Sequence, residues 1–340
     1  MSELKTTSLH DFHLIKNSKM IDFSGWSMPF SYDGTLKEHN YVRNSAGYFD
    51  VSHMGRLRLD YSQIDEINYL ICSDLKNIDN TKALYSIFTS ETGSAIDDVI
   101  FWKFDDELIL ICNASNTLKM KKHLDSYSIK YDDLTQHTDL IAVQGKEAIS
   151  VIKDIMTIPN KFSTLKESVF TYARTGYTGE DGLEIMLEHK NTLDLIDQLE
   201  SRGVKPCGLG SRDTLRLEAS LPLYGFELSD DITPVEAGLK WTLSNQDEYL
   251  GKNVIDEQLK TKEHKYLKRF KLNAKQIART GTLCNSGSIS GVVTSGNISP
   301  ILGYPIGFAL FETNPSHNLV EFDIRGNLVE GNLLEKRFLS

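Results

Sequence analysis

Glu184, Arg212 and the adjacent Asp97 and Asp98 are the residues whose types and settings could do chemistry in this chain. Glu184 ends the stretch Arg174-Thr-Gly-Tyr-Thr-Gly-Glu-Asp-Gly-Leu-Glu184, where Asp181-Gly182 sits between two extended runs, 169–177 and 183–187. Glycine reaches positive φ without a Cβ clash, so Asp181-Gly182 reads as the tight turn of a hairpin. On the second run Leu183, Ile185 and Leu187 share one face and leave Glu184 and Met186 on the other. Either that face is solvated or Glu184 has a partner, because burying an unpaired charge is costly. Arg212 stands in Gly208-Leu-Gly-Ser-Arg-Asp-Thr-Leu-Arg-Leu-Glu-Ala219, a glycine-rich entry to a helix with Ser211 as its N-cap. In the first turn the helix dipole disfavours a cation by up to ~1 kcal/mol, so Arg212 calls for an anionic or polar partner.

Asp97-Asp98 lies inside the strand-like run Ala-Ile-Asp-Asp-Val-Ile-Phe-Trp. Adjacent strand residues point to opposite faces, so the two carboxylates cannot act together as an acid/base dyad. Asp98 goes with Ile100 and Trp102, and Asp97 with Val99 and Phe101. Apolar surroundings desolvate a carboxylate and tune its ionisation. Asp97, nearer the Gly93 turn, suits a turn cap, which leaves Asp98 as the candidate catalytic group.

These residues need a scaffold, and its class follows from pattern. At 340 residues the chain exceeds one ordinary core and suggests two or three domains. A composition of 40% hydrophobic and 25% charged residues is that of a soluble globular protein, and a net charge of −10 argues against nucleic acid as a partner. Cys72, Cys112, Cys207 and Cys284 are scattered without a C-x-x-C pair, and no H-E-x-x-H occurs, so no metal site is expected. No basic-plus-apolar signal segment opens the sequence and no apolar run reaches ~18 residues, which predicts no membrane association and a reducing cytoplasm.

A helix is expected over residues 34–46 with Leu36 and Val42 inward, then a loop in which His53 and Met54 pack. Residues 83–89, 95–104 and 108–113 read as three strands of an antiparallel meander, with turns at 90–94 and 105–107. Helices follow over 115–126 and 193–202. The Lys/Arg-rich run 259–271 reads as a linker or surface helix, and from Phe270 onward short strands and Gly/Ser turns predict a small β-barrel or sandwich. By themselves these features describe a multidomain α+β protein with an Asp, a Glu and an Arg in a mostly apolar cleft, and they do not name a reaction.

The ordered motifs go further. Phe23-Ser-Gly-Trp-Ser-Met-Pro29, Glu38-His39 with Val42-Arg43, Phe49-Asp-Val-Ser-His-Met-Gly55 and Ala83-Leu-Tyr-Ser86 come first. Asp97-Asp98, Val143-Gln-Gly145, Thr175-Gly-Tyr-Thr-Gly-Glu-Asp-Gly182 and Gly208–Ala219 follow, then Leu221-Pro-Leu-Tyr-Gly225, Thr233-Pro-Val-Glu-Ala-Gly-Leu239 and Thr294-Ser-Gly296. In this order and almost end to end, the chain resembles the aminomethyltransferase, or T-protein, family of the glycine cleavage system. The resemblance implies a three-domain cloverleaf with a folate site at its centre and a small C-terminal β-barrel-like domain. Its domains would be 1–55 with 138–201, 56–137 with 202–258, and 259–340.

The implied reaction releases ammonia from the aminomethyl group on the lipoyl arm of the H-protein and passes the one-carbon unit to tetrahydrofolate. Carried over by motif, Asp98 would sit by the reacting folate nitrogens. Glu184 and Arg212 would bind the pterin, with Tyr85, Ile100, Trp102, Asn113 and Tyr177 lining the site and Met54 nearby. The basic run would steer an acidic H-protein or a folate polyglutamate tail. Lys146, Ser94 and Ser211 depart from the proline, glycine and alanine of the family pattern. A folate-dependent demethylase of a small methylated compound is the alternative within the same superfamily. A non-catalytic folate-binding relative of the iron–sulfur assembly type is disfavoured, because Cys207 is preceded by proline and followed by Gly-Leu-Gly-Ser.

Overall fold

Alternation along Gly182–Glu188 divides the first sheet into two unlike faces. In the computed structural model, which describes residues 4–339, this strand lies third in a six-stranded sheet. The order is Thr164–Lys166, Thr171–Ala173, Gly182–Glu188, Thr138–Gln144, Gly47–Asp50, Lys205–Pro206. Residues 1–3 and 340, which the expected first and third domains include, lie outside the described residues. Leu183, Ile185 and Leu187 pack with Ile141, Val143, Tyr48 and Tyr172 against Leu195, Ile196 and Leu199 of the helix Thr192–Ser201. Those leucines and isoleucines recur at helical spacing, which is why that helix covers this face.

The meander is present as expected. Ala83–Thr89, Ala95–Lys103 and Glu107–Cys112 are consecutive in a five-stranded sheet completed by Gly55–Asp60 and Tyr131–Asp133. The C-terminal strands from Tyr266–Leu272 to Asn327–Leu334 close into a six-stranded barrel. Phe270, Leu272, Val293, Phe311, Val320 and Phe322 fill its interior, so of the two expected β architectures the barrel is the one formed. By contacts the chain divides into two units, 1–67 with 75–85 and 99–213, and 68–74 with 86–98 and 214–340. No helix among the described residues is long and apolar enough to cross a membrane.

Four local expectations need correction. Asp181-Gly182 is not a tight turn: Ala173 pairs with Glu184, so the connection is the longer loop 174–181 and Gly182 already belongs to the strand. Glycine is required at 182 for another reason, since a Cβ there would lie 2.1 Å from the Val143 carbonyl oxygen. In the helix Thr35–Asn44, Val42 is buried but Leu36 is 59% exposed, and the charged Glu38 faces inward. The Glu38 carboxylate accepts the backbone N–H groups of Tyr32, Asp33, Gly34 and Gly208 at 2.6 to 3.1 Å, which compensates its burial. Ser211 is not an N-cap, because the helix Leu209–Glu218 starts two residues earlier with the Gly208 carbonyl accepting its first bonds. The basic run, expected as a linker or surface helix, is helical only over 259–261, where it ends the helix Lys252–Thr261, and then supplies the first barrel strand, Tyr266–Leu272.

Candidate functional site

Glu184 is only 4% exposed, so the solvated reading of its face is overturned. The register places Ala173, Glu184, Ala142 and Phe49 in one row across four strands, hence on one face. The residues beside Glu184 in that row, Ala173 and Ala142, have small side chains. Thr175 Oγ1 donates to Glu184 Oε2 at 2.7 Å and fixes its orientation.

Arg212, fourth residue of the helix Leu209–Glu218, reaches this face. Its guanidinium lies 5.9 Å from the Phe49 ring and 5.0 Å from the Tyr177 ring. Rings that close to a guanidinium attract it through their π faces. Burial lowers the Arg212 pKa, and Glu184 and then Tyr177 oppose that shift. Nη1 is shielded from solvent and has no hydrogen-bond partner among the described residues. An orphaned donor on a cation is costly and marks a position where a ligand can compensate. The structure therefore brings together Glu184, Arg212 and Tyr177, and adds Phe49, which the sequence reading missed because only the strand register puts it in the row of Ala142.

Met54 lies half-buried in the loop that joins Gly47–Asp50 to Gly55–Asp60, between His53, which packs in this loop as expected, and Arg56, which the sequence reading did not use. Arg56 is fully buried. Its Nη1 donates to the Ser52 and Met54 carbonyls at 2.9 and 2.6 Å, Nη2 to those of Thr135 and Thr138 at 2.7 and 2.8 Å, and Nε to Thr138 Oγ1 at 2.9 Å. This cation is thus an internal clamp on the loop, and its burial brings its pKa down to about 10. His53 is 5% exposed and meets the Phe23 ring edge-on at 5.4 Å. Burial brings its imidazole down to about 4, with Asp50 opposing and Arg212 and Arg56 adding to the fall.

A histidine with a depressed folded pKa contributes stability above its ordinary value of 6.5 and loses it as pH falls towards 4. The loss from His53 is expected to be on the order of 3 kcal/mol. Urea unfolding of His53→Asn and the parent chain between pH 7 and 4.5 checks this, and the variant should show the flatter dependence of stability on pH. Equal slopes in the two would contradict this role.

The meander carries the other candidates. Ile100 and Trp102 alternate along Ala95–Lys103, and Ile100 pairs with Ile111 and Trp102 with Ile109. Trp102 is fully buried and its Nε1 has no partner among the described residues. Asn113 follows the strand Glu107–Cys112 and is half-buried, as is Tyr85 on Ala83–Thr89. Asp98 is half-buried, whereas Asp97 is completely buried. Asp98 is the last residue of its stretch in the second unit, and Ile100 and Trp102 belong to the first. Within the second unit, Tyr224 Oη donates to the Ala95 carbonyl at 3.1 Å, and its phenol pKa is raised by burial, then Asp230, with Asp97 and Asp98 contributing.

Residues 9–247 match the family model described as the GCVT N-terminal domain, and residues 265–339 match the glycine cleavage T-protein C-terminal barrel domain. An aminomethyltransferase of Nostoc sp. is 35% identical over 98% of this chain and 96% of its own length. One of Thermosipho melanesiensis is 36% identical over 98% and 97%. The crystal structure of glycine cleavage system aminomethyltransferase T from Bartonella henselae superposes with a TM-score of 0.91 at 28% identity, covering 99% of this chain and 98% of that one.

Proposed function

This chain belongs to the glycine cleavage T-protein family of aminomethyltransferases, and on that premise we propose that it transfers a one-carbon unit to tetrahydrofolate from the aminomethyl-lipoyl arm of an H-protein, with release of ammonia. The observation that carries the folate part is the buried Glu184 facing the same side as Phe49, with Arg212 held over Phe49 and Tyr177. A pterin edge offers N–H donors to a carboxylate and acceptors to a guanidinium. Glu184 and Arg212 are the residues assigned to bind it. Tyr177, Tyr85, Ile100, Trp102, Asn113 and Met54 are assigned to line the site.

Asp98 is the group assigned to accept or direct a proton at the folate nitrogen as that nitrogen bonds to the methylene carbon. Its half-exposure supports this role over Asp97, whose complete burial supports a structural one. The three-domain division, 1–55 with 138–201, 56–137 with 202–258, and 259–340, is carried over from the family likeness. The boundary between the two matched family models supports its last border. A cytoplasmic location is proposed with the pathway. The relatives bear the aminomethyltransferase name, which favours this reading over the demethylase.

Calorimetry with tetrahydrofolate tests the pterin assignment. Arg212→Ala should weaken binding by about 1.5–3 kcal/mol, the size of a lost charge-assisted hydrogen bond. Glu184→Gln keeps an acceptor and should be milder than Glu184→Ala. Unchanged affinity in both alanine variants would remove these residues from the site.

A further inference from the structure

We propose that Gln144 is a positioning residue for folate binding, holding the loop 174–181 so that the Tyr177 ring lies against the Arg212 guanidinium. The inference rests on the folate reading of the site given above. Gln144 is fully buried at the end of the strand Thr138–Gln144, where it pairs with Gly182 on one side and Gly47 on the other. Its Nε2 donates to the Thr175 carbonyl at 3.0 Å and its Oε1 accepts from Thr178 Oγ1 at 3.0 Å. These two partners flank Gly176 and Tyr177 in sequence, so the amide ties the loop down on both sides of the tyrosine.

The fit is tight. A Cβ on Gly176 would lie 1.8 Å from Gln144 Oε1, so any other residue there would push the amide out of place. Arg43 Nη1 grips the same loop by donating to the Thr178 carbonyl and to Glu180 Oε1, both at 2.8 Å. Thr175, whose carbonyl takes the Gln144 amide, gives its own hydroxyl to Glu184 Oε2. One side chain therefore sets both the ring against Arg212 and the hydroxyl that orients Glu184. A primary amide is suited to this because it presents a donor and an acceptor at its two ends, whereas a carboxylate has only acceptors.

A double-mutant cycle separates positioning from general support of the fold. Tetrahydrofolate is titrated by calorimetry into the full chain and its Tyr177→Ala, Gln144→Met and doubly substituted variants. Tyr177→Ala should weaken binding about 10-fold through the lost contact with Arg212. Gln144→Met should weaken it at least as much, since it also releases the hydroxyl that orients Glu184, and the double variant should bind within about twofold of Gln144→Met, because a displaced ring has nothing left to lose. Additive losses, or wild-type affinity in Gln144→Met, would overturn the proposal. Full affinity in Tyr177→Ala would instead overturn the placing of Tyr177 in the folate site, and this inference with it. Should Gln144→Met fail to fold, Thr178→Val removes one of the two bonds with a side chain of similar shape. It enters the same cycle, in which coupling to Tyr177→Ala supports the proposal and additivity defeats it.

Discussion

Asp98→Asn is expected to lower turnover by about 10²–10⁴-fold, the usual worth of general acid–base assistance, while tetrahydrofolate still binds. Asparagine keeps the volume and one acceptor of the side chain but can neither take up a proton nor oppose a developing positive charge. Asp97→Asn should behave differently. Asp97 is completely buried and Asp98 half-buried on a strand whose successive residues face opposite ways. Harm from Asp97→Asn should therefore appear as lost stability with little loss of rate. Turnover and folate affinity of the two variants decide the matter. Near-normal turnover in Asp98→Asn with collapse in Asp97→Asn would show that the catalytic face is the other one.

Arg56→Met is expected to cost about 3–5 kcal/mol of stability, because it strands several buried carbonyl groups at once. Four main-chain carbonyls, of Ser52, Met54, Thr135 and Thr138, depend on this one guanidinium. Arg56→Lys should recover only part of the loss, since an ammonium has three donors and no planar fork. Urea unfolding of the two variants against the parent chain checks the order parent, lysine, methionine. Equal midpoints for parent and Arg56→Met would mean that water reaches those carbonyls and that the loop is not clamped.

Where the determinants are local, the sequence was a good guide. The strands Ala83–Thr89, Ala95–Lys103 and Glu107–Cys112 stand where alternation and the intervening turn residues predicted them. The opposed faces of Leu183 and Glu184 followed from the same period. Readings failed where the cause lies far along the chain. Nothing near Glu38 shows that the Gly208 N–H, 170 residues on, will reach its carboxylate, so an inward Leu36 was the natural expectation. Glycine is ambiguous in sequence, since the same letter serves positive φ and close backbone approach, and Gly182 belongs to the second kind. The barrel strand Tyr266–Leu272 was hidden because its outward positions carry Lys and Arg, which gives it the composition of a linker. Within the site, Glu184 and Arg212 were legible as misfits, a carboxylate on an apolar strand and a cation at a helix start. Phe49 and Gln144 were not, because an aromatic and an amide inside strands give no such sign until the register is known.

The most direct measurement is product analysis with purified chain, aminomethylated lipoyl H-protein and tetrahydrofolate. Ammonia and methylenetetrahydrofolate should form in equal amounts, with the transfer requiring the folate acceptor for full rate. Failure to form methylenetetrahydrofolate from the H-protein, with the same folate consumed instead by a free methylated small compound, would contradict the assignment and restore the demethylase reading.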